Sequence, residues 1–548
     1  MAKESNVFVV ERRIYTTKND EVFLDKKLNI CNKIYNTSVK YCIKKLEELK
    51  QDIWFLKSME EYKKYSKLIK EIENKLKEID INISTKKLNN YSNKLKSFKS
   101  NKSLWLREIN ICIEAYGLSE YSIHSYMAYQ KKKAFNKGIG INIVQKLGTN
   151  LSKSVNKAIF SGTKIHYRKY NQTSSFEDKR ANSGIIYFPN DIIKVMGKIM
   201  KLKPIREKDI YLQEAMNSTI KYCRIIRKPF KNKYKYFLQI IMEGSAPKKI
   251  KLGIGKCGLD EGTSTIAYYN DTKASFYVLC ENIKKYEKEI KEYTIKYERQ
   301  RRLNNPQNYD ENGKIIKGSR FKNTKNTIKT LMKLKNAYRK KSKYIKQNNN
   351  YLVNRLLEQC DLIIKEPMNF KALAKRAKET KKSDKISTST KKDESKKQVT
   401  KSTCSVATLY KKKKRFGSSI NKRAPGYFNS RLESQIKRYG GDFIDIDIKN
   451  YKASQYNHIT KEAKKPKLSE RTKLIGKDIV QRDLYSAFLL YCYKDKSHIN
   501  FDECEKLFKD FLNKQEQTIK EERMLYNYAI KEKEELDKAH KNFGLNDF

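Results

Sequence analysis

The chain has few histidines, few acids relative to bases, and no paired cysteines. Only five His occur in 548 residues, which disfavours histidine-based nuclease chemistry and His/Cys zinc catalysis. The ten Cys stand at 31, 42, 112, 223, 257, 280, 360, 404, 492 and 504, never as Cys-x-x-Cys. Scattered thiols of this kind fit a reduced intracellular chain with mostly buried cysteines. The start, Met-Ala-Lys-Glu-Ser-Asn-Val-Phe-Val-Val, lacks a signal-peptide core. Apolar stretches such as Ser486 to Tyr493 are far too short to span a bilayer. The expected location is therefore cytoplasmic, at the nucleoid of a prokaryote. No convincing internal repeat is present.

Negative charge is the other shortage. Lys and Arg number 121 against 62 Asp and Glu, a formal charge of +59. An A/T-rich coding sequence would explain Lys over Arg, but not the excess of bases over acids. Each basic side chain that neutralises a phosphate releases condensed counterions, so such a surface suits nucleic acid. The length allows roughly three or four domain-sized units.

Residues 6 to 15 read as a strand, and about 20 to 135 as helices. Ile53, Leu56, Met59, Tyr62, Tyr65, Ile69, Ile72 and Leu76 approximate a 3–4 spacing. Residues 119 to 160 read as further helices, broken at Gly138 and Gly140. Between 160 and 250, segments beginning at Lys164, Gly184, Tyr222 and Tyr234 alternate basic and apolar residues, as short strands do. The first strand would pair with them in a barrel-like β domain interrupted by the helices. Interleaved Tyr, Lys and Arg there suit nucleic acid, and equally suit ordinary half-buried strands.

From 251 onward the pattern is three strands, helices, strand, helix, strand, helix, the order of an RNase H-like α/β domain. Residues 371 to 403 carry twelve Lys and Arg with little apolar content, and are expected to form a mobile loop. Asp478 to Tyr493 reads as one helix, and 494–548 as a charged helical tail.

Three acids stand out. Asp260 ends a strand in Cys-Gly-Leu-Asp-Glu-Gly, where Gly258 and Gly262 would let the backbone bend and a phosphate come close. Glu366 shares parity with Leu362 and Ile364 before Pro367 turns the chain. Asp483 falls on a helix row with Ile479, Ala487 and Tyr491. An acid on an apolar row is costly unless it is paired or binds a cation. Carboxylates suit Mg²⁺, a hard ion, and two such ions about 4 Å apart support phosphodiester hydrolysis.

The segments Gly258-Leu-Asp-Glu-Gly, Ile363-Ile-Lys-Glu-Pro-Met-Asn-Phe-Lys-Ala-Leu and Gln481-Arg-Asp-Leu-Tyr-Ser-Ala-Phe resemble the three RuvC motifs of transposon-encoded TnpB proteins and the related type V CRISPR effectors. Ile141 to Phe160 and Ile14 to Leu24 are similar to the family's pre-strand helix and N-terminal entry. The resemblance implies a multidomain α+β protein that cuts DNA under RNA guidance. Residues 1–18 would supply the first strand of a wedge β domain, 19–160 a helical recognition domain and 161–250 the rest of the wedge. Residues 251–493 would form the RuvC domain, with a basic mobile insert at 371–426. Asp260, Glu366 and Asp483 would hold two Mg²⁺ ions. Arg482 and Arg431 would touch substrate phosphate, or equally form salt bridges. Guide RNA and double-stranded target DNA would be the partners, bound by one copy or two.

One departure is clear. Ala453-Ser-Gln-Tyr-Asn-His matches the approach to the family's zinc-binding insert, yet no Cys occurs between Cys404 and Cys492. The region 453–477 is therefore expected to be a degenerate zinc finger without zinc, since His458 alone cannot rebuild the site. Two other readings stay open: a guide-dependent DNA-binding protein that does not cut, and a guide-free structure-specific nuclease or RNA-binding accessory protein.

Overall fold

A computed structural model describes residues 6–77, 85–135, 138–169, 173–374, 416–467 and 470–528. The chain divides into two compact units, Met1–Pro247 and Lys248–Phe548.

In the first unit, β1 (Val7–Arg13) leads into α1 (Lys18–Leu49), α2 (Ile53–Lys77), α3 (Thr85–Ala115), α4 (Glu120–Phe135) and α5 (Ile141–Ser161). Thr17 starts α1 with a reciprocal cap. Its hydroxyl accepts the Asp20 N–H at 3.2 Å, and Asp20 accepts the Thr17 N–H at 2.8 Å. The strands follow: β2 (Ser175–Glu177), β3 (Ile185–Phe188), β4 (Ile192–Val195), β5 (Lys198–Lys201), then a short α6 (Ile210–Met216), β6 (Ile220–Phe230) and β7 (Lys233–Glu243). They form two sheets, β1-β7-β6-β2 and β3-β4-β5. β1 lies antiparallel to β7, Val10 opposite Ile240. Apolar residues of the helices (Leu24, Leu28, Ile143) and of the strands (Val10, Leu238, Ile240) share one core.

Two expectations change here. Residues 164–169 form no strand. Their backbone is held by α1 instead: Asn36 accepts the Arg168 N–H at 2.8 Å and donates to its carbonyl at 2.7 Å. The stripe on α2 also begins elsewhere. Phe55 is buried, while Ile53 and Leu56 are exposed.

The second unit opens with the antiparallel strands β8 (Lys256–Glu261), β9 (Thr265–Asn270) and β10 (Ala274–Val278). Two long helices, α7 (Ile283–Leu303) and α8 (Lys325–Leu357), precede β11 (Leu362–Lys365). Then come α9 (Phe370–Ala374), α10 (Gly417–Arg423), α11 (Pro425–Tyr439) and β12 (Asp442–Asp445). A hairpin of β13 (Thr472–Ile475) and β14 (Asp478–Gln481) feeds α12 (Arg482–Tyr491), and α13 (Phe501–Tyr528) closes the described chain. The central sheet runs β10-β9-β8-β11-β12, with β11 parallel to both β8 and β12. Ile364, Tyr269 and Ala267 pack under α12 and α13. Cys257, Leu259 and Ile363, of opposite parity, pack against α8 and α11.

The expected helix at 478–493 begins only at Arg482. Gly476, at φ +62°, turns the chain so that 478–481 pair with 472–475 instead. The expected insert at 371–426 is bounded by α9 and α10, and 375–415 lie outside the described residues. The tail expected at 494–548 contributes Cys504, Phe511 and Ile519 to the core through α13, and 529–548 lie outside the described residues. Its apolar face is spaced widely among charges, which hid its packing role. Cys404 also lies outside; the described cysteines are free and buried.

Candidate functional site

Each of the three acids is delivered by a different element onto one face of the central sheet. Asp260 sits in β8 two residues after Gly258, so both share the face that α12 covers. Glu366 directly follows β11, with the parity of buried Ile364. Asp483 is the second residue of α12, and Gln481 caps that helix by accepting the Leu484 N–H at 2.6 Å. An acid in the first turn is also favoured by the helix dipole. The reading of Asp483 as one of a helical row with Ile479 is corrected: Ile479 lies in β14 and is 50% exposed.

What brings α12 so close is Gly258. A Cβ there would lie 1.9 Å from the Ala487 carbonyl oxygen and 2.6 Å from the Tyr491 nitrogen. The glycine therefore makes room for a helix backbone rather than for a phosphate, as the sequence had suggested. Gly262 faces Thr265 across the β8–β9 turn.

Asp260 feels both of the other acids. Burial holds the Asp260 carboxyl well above the usual carboxylate range, and Asp483 and Glu366 push it further; the Ser486 hydroxyl and Arg482 oppose this. Burial also raises Glu366, against the pull of the Ala453 and Ser454 amides. Asp483 is held by arginines. Arg482 donates through Nε at 3.0 Å and Nη2 at 2.9 Å to its Oδ1, and Arg471 Nη1 lies 3.4 Å from its Oδ2. Arg482 also donates to the Glu470 carbonyl at 2.7 Å. Arg431 donates to Asn350 at 3.2 Å. Both arginines expected to reach phosphate are thus engaged within the chain.

The sheet's other face carries a buried ion pair beside the same strands. Lys365 Nζ lies 3.2 Å from Glu261 and donates to Asn429 at 2.8 Å. Burial pushes Glu261 up to about 7, against the attraction of Lys365. Sequence reading missed this pair, because only the β8–β11 alignment shows that the two residues meet. It also missed Arg471 and Lys473. Burial, then Arg482, pushes Lys473 down to about 8, and it donates to the Ser454 carbonyl at 2.7 Å. The Gly-Lys turn between two apolar runs was the available signal for this hairpin.

His458 is buried among rings: its Nδ1 lies 2.8 Å from the Tyr485 hydroxyl and its ring 4.6 Å from Phe508. Among the described residues, no three His, Cys, Asp or Glu side chains stand grouped so as to hold a metal. Glu366 and Asp483 both disfavour the charge on Asp260, while Asp483 points its oxygens at arginine. Their chemistry nonetheless fits a hard cation: the donors are all oxygens, and a cation would relieve the repulsion on Asp260. Among the described residues, no helix is long and apolar enough to cross a membrane.

No family model matches the sequence, and no curated protein matches it. Among solved structures, the chain is similar to the cryo-EM structure of the Cas12f1-sgRNA-target DNA complex, over 89% of this chain and 99% of that one, at 12% identity and a TM-score of 0.37. It is also similar to a cryo-EM structure of the CRISPR-Cas12f ternary complex, over 90% and 100% of the two chains, at 11% identity and a TM-score of 0.22.

Proposed function

We propose that the protein is an RNA-guided DNA endonuclease whose second unit is an RNase H-like (RuvC) nuclease domain. The first unit would be a wedge β domain interrupted by a helical recognition insert. The observation that carries the reading is the delivery of Asp260, Glu366 and Asp483 by three different elements to one sheet face, where Asp483 and Glu366 both disfavour the charge on Asp260. The sheet order supports it: an antiparallel trio, then two strands parallel to its first member. So does the resemblance of the three acidic segments to RuvC motifs, within a chain of charge +59.

In this reading Asp260, Glu366 and Asp483 hold two Mg²⁺ ions. Bound metal would supply an activated water and charge stabilisation for the leaving oxygen. The chain's own groups do the rest. The α12–β8 contact at Gly258 sets the spacing of Asp483 from Asp260. Arg482 and Arg471 exchange the Asp483 carboxylate for substrate phosphate, and Lys473 adds positive charge beside them. Guide pairing reads the target, while Lys and Arg hold backbone.

To test this, the protein is purified with co-expressed RNA and given matching DNA with Mg²⁺. Wild type cuts; Asp260→Ala binds the DNA without cutting. Failure of wild type to cut, or loss of binding in the variant, counts against the assignment. A guide-dependent binder that does not cut is the second reading. The pairing of Asp483 with two arginines favours it, and metal-dependent cleavage decides.

A further inference from the structure

The buried ion pair behind the acidic site has no part in the chemistry in front of it. Each member is the chain neighbour of a site acid: Glu261 follows Asp260, and Lys365 precedes Glu366. Side chains alternate along a strand, so the pair stands on one face of the sheet and the acids on the other.

The main-chain register between β8 and β11 matches Lys256–Leu259 with Leu362–Lys365 and, among the described residues, ends there. One step further, the same register sets Asp260 beside Glu366. Outer neighbours hold each strand end. Ala267 of β9 lies opposite Asp260, and the Ile446 N–H donates to the Lys365 carbonyl at 3.1 Å. The 3.2 Å contact of Lys365 Nζ with Glu261 Oε2 ties one end to the other. On the site face, carboxylates set side by side drive these ends apart until a cation sits between them. On the reverse face, opposite charges draw the same ends together.

The lysine is fixed from three sides. Its Nζ reaches Glu261, donates to Asn429 at 2.8 Å, and stands 5.5 Å from the centre of the Phe443 ring. Phe428 and Leu432 anchor α11 in the core on either side of Asn429, which makes the amide a firm point. Stability alone does not account for such a pair. Desolvation cancels most of the attraction, and apolar side chains of similar volume often serve a fold as well. What a charged hydrogen bond adds over apolar packing is a preferred length and direction.

We propose that Glu261 and Lys365 are positioning residues. Their pair clamps the ends of β8 and β11 at the spacing at which Asp260 and Glu366 share a divalent cation. The inference rests on the reading of those two acids as metal ligands.

The test uses the full chain carrying its co-expressed RNA. Mn²⁺ is the probe, and the paramagnetic resonance signal of the free ion is the readout. Asp260→Ala with the same RNA gives the background of ions held on RNA and elsewhere. Glu261→Leu/Lys365→Met is the informative variant, because it removes one charge of each sign and leaves the local net charge unchanged. Its urea midpoint should stay near that of wild type, while its Mn²⁺ affinity at the site falls about 10–100-fold, the usual effect of losing a group that orients a metal ligand. Glu261→Lys/Lys365→Glu rebuilds the pair in reverse, and the Asn429 amide can turn to serve either sense. It should recover most of the lost affinity. Wild-type affinity in the apolar variant overturns the proposal. So does a swapped variant that keeps its urea midpoint yet binds no better than the apolar one. Either variant decides alone if the other fails to fold. A wild type that binds no more Mn²⁺ than Asp260→Ala sinks the metal reading and this inference with it. Equal binding by wild type and the apolar variant, above that background, sinks this inference alone.

Discussion

Gly258→Ala adds a single methyl where two backbones meet. The new Cβ would lie 1.9 Å from the Ala487 oxygen, whereas ordinary contact begins at 3.4 Å. The difference, 3.4 − 1.9 = 1.5 Å, is the distance α12 must retreat. Neither obstructing atom belongs to a side chain that could rotate away. Overpacking of this kind costs about 1–3 kcal/mol, and rigid backbone puts this case near 3 kcal/mol. Asp483 lies one turn before Ala487 on the same helix, so it moves with α12. A shift of about 1 Å at a catalytic group costs about 100-fold in rate, and this shift is larger. Urea unfolding should therefore show a folded but weaker protein, and single-turnover DNA cleavage should fall by at least about 100-fold. RNA affinity, measured by filter binding, should hold. Wild-type stability together with wild-type cleavage in this variant would refute the idea that helix–strand contact sets the site.

Three further perturbations probe other parts. Asp260→Asn removes the buried carboxyl whose charge Asp483 and Glu366 disfavour, so the metal-free variant should melt no lower than wild type; Mg²⁺ should raise the melting temperature of wild type alone. Lys365→Met leaves the Glu261 carboxyl without its cation in a buried site where the two side chains are only 4% and 3% exposed. It should cost about 3–5 kcal/mol in urea unfolding, and Glu261→Leu added to it should recover most of the loss. Burial holds the His458 pKa below 6.5, with Glu505 opposing. The unfolded chain then binds the extra proton first, so stability is complete above about 6.5 and declines as pH falls from there toward the folded pKa. Unfolding midpoints at pH 7.5 and 5.5 should differ less in His458→Phe than in wild type; an equal difference would assign the decline to other groups.

Much of the second unit was legible because its strands are short, apolar and punctuated. Two-residue parity alone put Glu366 with Ile364, and the glycine after Glu261 marked the end of β8. The start of α12 was not legible. Ile479 and Val480 continue the apolar spacing of a helix backwards, and only pairing with Lys473 and Leu474 shows them to be strand. Likewise, Glu261 and Lys365 each neighbour a conspicuous acid and look like surface charges until β8 and β11 are aligned. In the first unit, the segment at 164–169 has the alternation of a strand. Alternation records which way side chains point, and Asn36 supplied hydrogen bonds that a neighbouring strand would have supplied.

The pairing of β1 with β7 has a consequence for synthesis. Val7 finds its partner only at Glu243, 243 − 7 = 236 positions later. At about 5–20 residues per second, the first strand waits roughly 10–50 s on the ribosome while α1 to α6 emerge. During that interval an apolar edge, with Phe8 and Val10 on it, has no sheet to join. We expect nascent chains halted before β6 to be captured by a chaperone at this segment, and chains halted well after Glu243 to escape; equal capture of both would contradict it. Delayed closure thus makes the amino terminus, rather than the long helices, the part of the polypeptide most exposed to misassembly at birth.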